Sequence, residues 1–147
     1  MAGKSDAFEY DFLRQTFNGT AISNWSSTGG TTTIWLGLHT ADPTDAGSTA
    51  AEGGYAQYTR ASVARTTLGF AVSSGTGAAV ATVSPVAAIT FPQNTSTSTG
   101  TFSYFSVYPS SNAAGSAAVY IGTISPSINF AQNVTPSLTT GSSITED

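Results

Sequence analysis

The chain has 147 residues, with 8 acidic and 4 basic side chains, a net charge of −4 and no cysteine. The lack of thiols excludes disulfides, zinc-thiolate and iron–sulfur sites and thiol catalysis, and four cations are too few to make nucleic acid or an anionic membrane surface a partner. Charged residues are 8% of the chain, against about 25% in an ordinary domain, while 39% hydrophobic and 11% aromatic content argues for a packed domain over disorder.

The first predicted element is a short helix over Asp6–Phe17. Asp6 is placed to cap it with Glu9 three positions on, and Asn18-Gly19 supplies a stop. Phe8 and Phe12 fall on one side, and Tyr10, Leu13 and Phe17 on the other. A helix that is apolar on two sides needs two things to pack against: the core, and either more core or another subunit. The opening MAGKSDAFEYDF has no apolar run, so no secretory leader is expected, and no stretch is long enough to span a membrane. Asn-x-Ser/Thr sequons at Asn18, Asn24, Asn94 and Asn133 are expected as chance matches in a Ser/Thr-rich chain.

From Thr31 onward the period is two. Ile34, Leu36 and Leu38 alternate with Trp35, Gly37 and His39. Further strands are expected over Gln57–Val63, Leu68–Val72, Ala78–Val83, Val86–Phe91, Thr101–Tyr108, Ala117–Ile124, Ile128–Phe130 and within Val134–Ile144. Turn pairs rich in Gly, Pro, Asn and Ser separate them, which is the pattern of a sandwich or barrel. In Thr101–Tyr108, Phe105 and Val107 share one face and Phe102, Tyr104 and Tyr108 the other. The second face needs a cover, from the N-terminal helix or from a partner chain. The expected architecture is all-β, an antiparallel β-sandwich with one short N-terminal α-helix. A helix and arm over residues 1–30 would pack on one sandwich domain over 31–147.

Tests for chemistry return little. The single histidine, His39, precedes Asp42-Pro43-Thr44-Asp45. No Gly-x-Ser-x-Gly elbow accompanies it, and Asp42, Asp45 and Glu52 are too spread for a calcium loop. Turn chemistry explains the segment better: Pro43 pre-sets a turn and Asx side chains bond their own backbone. No enzymatic activity, cofactor or metal is therefore expected, and His39→Ala is expected to leave stability nearly unchanged. Gly pairs at 29–30 and 53–54 lack the context of a phosphate loop.

The missing charge points toward assembly. Free sandwiches guard their edge strands with charge, Pro or bulges, yet Ala78–Val83 and Ala117–Ile124 carry no charge. Either the fold covers these edges or another chain does, and a homo-oligomer is expected, a dimer ahead of a trimer. Aromatic residues and Arg are enriched at interface hot spots. The partner-contact candidates are accordingly Phe8, Phe12, Phe17 and Trp25 in the N-terminal segment, with Tyr55, Tyr58 and Arg60. The last three also fit a sugar-binding face, or an edge strand with snorkelling arginines.

The stretch from Ile34 to Gly47, IWLGLHTADPTDAG, with Gly53-Gly54-Tyr55-Ala56 after it, resembles a motif of small tailed-bacteriophage virion proteins. Phe17-Asn18-Gly19-Thr20-Ala21, Ile89-Thr90-Phe91-Pro92, the Thr101–Tyr108 strand and Ile121-Gly122-Thr123-Ile124 resemble further motifs of that family in the same order. The resemblance covers residues 6 to 140 and departs most after Pro126. Some members are labelled tail-fibre proteins; others resemble capsid decoration, or cement, proteins with a jelly-roll fold. The resemblance implies a virion protein made in the bacterial host cytoplasm. The decoration reading implies a jelly-roll-like sandwich on the outer capsid surface, bound to the major capsid protein and reinforcing its contacts. The chain has no fibrous repeat and no helix long enough for a trimeric shaft, which favours decoration over a tail-fibre or receptor-binding role toward a host glycan.

Overall fold

A computed structural model describes residues 6–20, 32–44, 48–73, 81–108, 111, 118 and 120–146. Helix α1 spans Asp6–Asn18. Nine strands follow among the described residues: β1 (Thr33–His39), β2 (Ala61–Ala64), β3 (Phe70–Ser73), β4 (Ala81–Pro85), β5 (Ile89–Thr90), β6 (Gly100–Tyr108), β7 (Tyr120–Phe130), β8 (Ser137–Leu138) and β9 (Ile144–Glu146). They form a four-stranded sheet ordered β2-β1-β6-β7, a three-stranded sheet ordered β3-β4-β9, and the pair β5-β8. The protein is all-β with antiparallel sheets and one short helix, in keeping with the sandwich class expected from its alternation.

The chain divides into two compact units, one of residues 1–32, 64–88 and 138–147, the other of 33–63 and 89–137. In the first, α1 packs on β3 and β4. Leu13 and Phe17 are fully buried, and the Phe17 ring meets Phe70 edge-on at 5.0 Å between centroids. The helix ends where the Asn-Gly pair predicts. Gly19 takes φ +65°, a left-handed conformation that costs a Cβ-bearing residue energy, and Thr20 N–H donates to Arg14 O. Arg65 completes the end, since its guanidinium donates to the free carbonyls of Gln15 and Thr16. Gly19→Ala should therefore cost about 1 kcal/mol in stability, measurable by urea unfolding, with no change in the unfolding slope.

In the second unit, β1 and β6 pair antiparallel, with Trp35 opposite Tyr108, Gly37 opposite Ser106 and His39 opposite Tyr104. Opposed residues share a face. On this face lies the connecting segment 52–60, which does not form the strand expected from Gln57; the ladder begins at Ala61. Its Tyr55 and Tyr58 pack with Phe102, Phe91 and Phe130 at centroid distances of 5.6 to 6.4 Å. That segment is the cover that the Phe102 and Tyr108 face needed, so neither the helix nor a partner chain has to supply it.

Both uncharged strands that looked unguarded are accounted for. β4 is the middle strand of its sheet, paired with β3 on one side and β9 on the other. β7 ends its sheet, but its ladder with β6 jumps from Phe102↔Ile128 to Tyr104↔Thr123. Residues 124 to 127, Pro126 among them, thus stand opposite Ser103 alone. A bulge carrying a proline is a recognised guard for an edge, and it does here what charge does elsewhere. The two expected strands flanking Ser125-Pro126 are one strand interrupted by this bulge.

The chain's turns use its Asx residues. Asp42 Oδ1 accepts from Thr44 N–H at 2.8 Å, as the turn reading of that segment requires, and Asp45 lies outside the described residues. Asn94 is fully buried. Its Nδ2 donates to Ser98 O, and its Oδ1 accepts from Ser96 N–H and Ser96 Oγ–H. The sequon at Asn94 is therefore a loop organiser closed to modification in the folded chain.

Candidate functional site: a buried ion-pair cluster on the four-stranded sheet

The sheet's chemistry converges on β1, β6 and the segment above them. Glu52 bridges His39 in antiparallel register, and Thr40 N–H to Ala51 O and Gly53 N–H to Leu38 O tie the same stretch down. This places the Glu52 carboxylate over Gly37, where a Cβ would stand 2.9 Å from Glu52 Oε1 and 3.0 Å from the Tyr108 ring. Gly37 is thus the gap that admits both groups. Arg60 returns to clamp Glu52 with Nε to Oε1 and Nη2 to Oε2, both at 2.7 Å. The side chains of the pair are 3% and 6% exposed. The Arg60 guanidinium also lies 3.3 Å over the Tyr108 ring. Burial disfavours the Arg60 charge, but the hydrogen bonds and charge of Glu52 outweigh it and hold its pKa above the usual value.

Beside this pair, His39 Nε2 lies 2.8 Å from Ser106 Oγ, both residues fully buried. His39 Nδ1 and Tyr108 Oη are buried without a hydrogen-bond partner among the described residues. Burial pushes the His39 pKa below its ordinary 6.5, with Glu52 pulling it up and Arg60 down. Burial likewise raises the Tyr58 hydroxyl, which accepts from Leu38 N–H at 2.6 Å. A serine against a histidine near a carboxylate has the composition of a catalytic triad. Here, however, Glu52 is engaged by Arg60, and neither His39 nor Ser106 reaches solvent. The Ser106–His39 contact joins β6 to β1 and the Glu52–Arg60 pair closes the segment on itself, while Tyr58 and the Gly53 amide tie the segment to β1. The expectation that His39 is dispensable is corrected: truncation would leave Ser106 unpaired and a void beside an ion pair, a cost of about 1–3 kcal/mol.

The partner-contact candidates fall in different places. Phe17 is spent in the first unit's core, and Tyr55 and Arg60 are 8% and 7% exposed in the second. Tyr58 is half-buried against Tyr55, with its ring stacked at 6.1 Å on Phe91. Phe12 is half-buried on α1. Phe8 belongs to α1 with its side chain outside the described ones, and Trp25 lies outside the described residues. Tyr55, Tyr58 and Arg60 do come together, but as internal cover for the sheet. Among described residues, the large apolar side chains most open to solvent are Leu68, Val86 and Val134, at 83%, 48% and 38%. No group of three or more His, Asp or Glu side chains suited to a metal occurs among them, and no described helix is long and apolar enough to cross a membrane. Sequence reasoning missed Ser106, Tyr108 and the Glu52–Arg60 clamp. The available signal was scarcity: with so few charges, an acid and a base eight residues apart on a turning segment are natural partners.

Comparison with known proteins adds a family. The family model described as Podophage GP4 fiber I protein gp80 matches residues 3–145 of the chain. No protein of curated function matches it.

Proposed function

From the premise that this chain belongs to the gp80 family of podophage fibre I proteins, and so is a phage virion structural protein, we propose that it serves in the fibre apparatus and acts by binding alone. The observation that carries this reading is the extent of the match, which takes in α1 and nearly all of both units. Binding without catalysis is supported by the site. Its one Ser–His pair is sealed from solvent, and its carboxylate is held by Arg60. On this reading the partners are neighbouring virion proteins and a glycan or receptor on the host surface. Self-association, a dimer ahead of a trimer, belongs to the proposal and is measured by sedimentation. It no longer draws support from bare strand edges, since β4 is central and β7 carries its own guard.

Capsid decoration, with the major capsid protein as partner on the outer head surface, is the second reading. It is favoured by the short antiparallel strands and single 13-residue helix among the described residues, which contain nothing resembling a shaft. The experiment is to prepare particles lacking this protein. On the fibre reading they keep their DNA on heating at the same temperature as complete particles but adsorb poorly to host cells. Normal adsorption with early DNA release overturns the fibre reading and supports decoration. Many copies binding only the assembled lattice would stabilise it by mass action.

A further inference from the structure

We propose that His39 is the trigger of an acid-operated latch: the 52–60 segment stays on the four-stranded sheet while the buried ring is neutral and is released when the ring is protonated. The ring is fully enclosed, and its Nε2 has Ser106 Oγ while its Nδ1 has no partner among the described residues. Whichever tautomer is neutral, protonation gives the ring two N–H donors, and the one at Nδ1 has no acceptor among the described residues. The titratable and charged groups around it are Glu52 and Arg60 from the overlying segment, Tyr104 and Tyr108 from β6, and Tyr58 at the Leu38 amide. Glu52 and Arg60 cancel each other, so an imidazolium adds an uncompensated positive charge beside a guanidinium. Glu52, the anion placed to answer it among the described residues, is already held at two points by Arg60. Either Glu52 leaves Arg60 or the segment lifts to let water in, and both loosen the same clamp.

The sign follows from the direction of the His39 shift. Its pKa in the closed state lies below 6.5, so the open state takes up a proton first. The closed form is fully favoured above pH 6.5 and loses ground as pH falls from 6.5 toward the lowered native value, by up to about tenfold per pH unit.

Thr40 N–H and Gly53 N–H are built-in reporters, because they bond Ala51 O and Leu38 O across the latch. Their hydrogen exchange, corrected for intrinsic rates, should lose protection as pH falls from 7 to 5, by at most about tenfold per pH unit. Amides of the β3–β4 ladder should keep theirs. In His39→Gln, whose amide can still reach Ser106, the two reporters should be indifferent to pH over that range. Unchanged protection in the natural protein, or the same loss in His39→Gln, overturns the latch. If His39→Gln does not fold, the ring's own NMR titration in the natural protein decides. A midpoint below 6.5 that coincides with loss of protection supports the latch. A midpoint at or above 6.5 with the reporters still protected overturns it.

Discussion

Replacing Arg60 with methionine is expected to destabilise the protein by about 3–5 kcal/mol, the range for a buried ion pair broken on one side. The cost comes less from the lost attraction than from what stays behind. Glu52 would remain 6% exposed with two oxygens emptied of their 2.7 Å donors, under a strand whose Gly37 leaves room for the carboxylate and little else. The cation–π contact on Tyr108 goes with it. Chemical denaturation should show the loss, and for a chain of this size the thermal midpoint should fall by roughly 10 °C. Replacing Glu52 and Arg60 together with apolar residues of similar volume should recover most of it, because no charge is then stranded. If the single variant is as stable as the natural protein, the cluster is not closed as described.

Phe130→Ala is expected to cost a similar 3–5 kcal/mol, here by opening a cavity. The ring is 4% exposed and packs at 4.6 Å from Phe102 and 5.6 Å from Tyr55. It fills a slot walled by two residues without side chains, Gly54 and Gly100; a Cβ at Gly100 would stand 2.6 Å from Phe130 Cζ. Gly100→Ala should thus destabilise by overpacking, by about 1–3 kcal/mol. Combining the two tests the packing directly. Once Phe130 is alanine, the added methyl at Gly100 has space, so the double variant should be no less stable than Phe130→Ala. Additive losses in that cycle, read from urea midpoints, would show that Gly100 and Phe130 do not share the slot.

Much of this protein was legible in its sequence. Period-two alternation in Ile34, Leu36 and Leu38 marked β1, and those residues are buried. The pattern bounded α1 to within a residue, and at its C-terminal end Asn18-Gly19 acts through its own backbone neighbourhood. The Asp42 turn was legible for the same reason. Order among motifs suggested a phage virion protein, and the family match agrees with that at the level of the family.

What tertiary structure alone decided is everything set by residues far apart in the chain. Aromatic and Arg enrichment in Tyr55–Arg60 reads equally as an outer hot spot or an inner lid; burial against Phe102 and Tyr108 makes it the lid. An uncharged strand reads as an exposed edge until its neighbours are known. Sheet order puts β4 in the middle, and the break in register with β6 gives β7 its bulge. His39 was legible as a strand residue but its role was not, because its partner Ser106 is 67 positions away. Local backbone preferences act over a few residues and are written in the sequence as short patterns. Pairing of buried polar groups acts through space, and only the fold determines which of them meet.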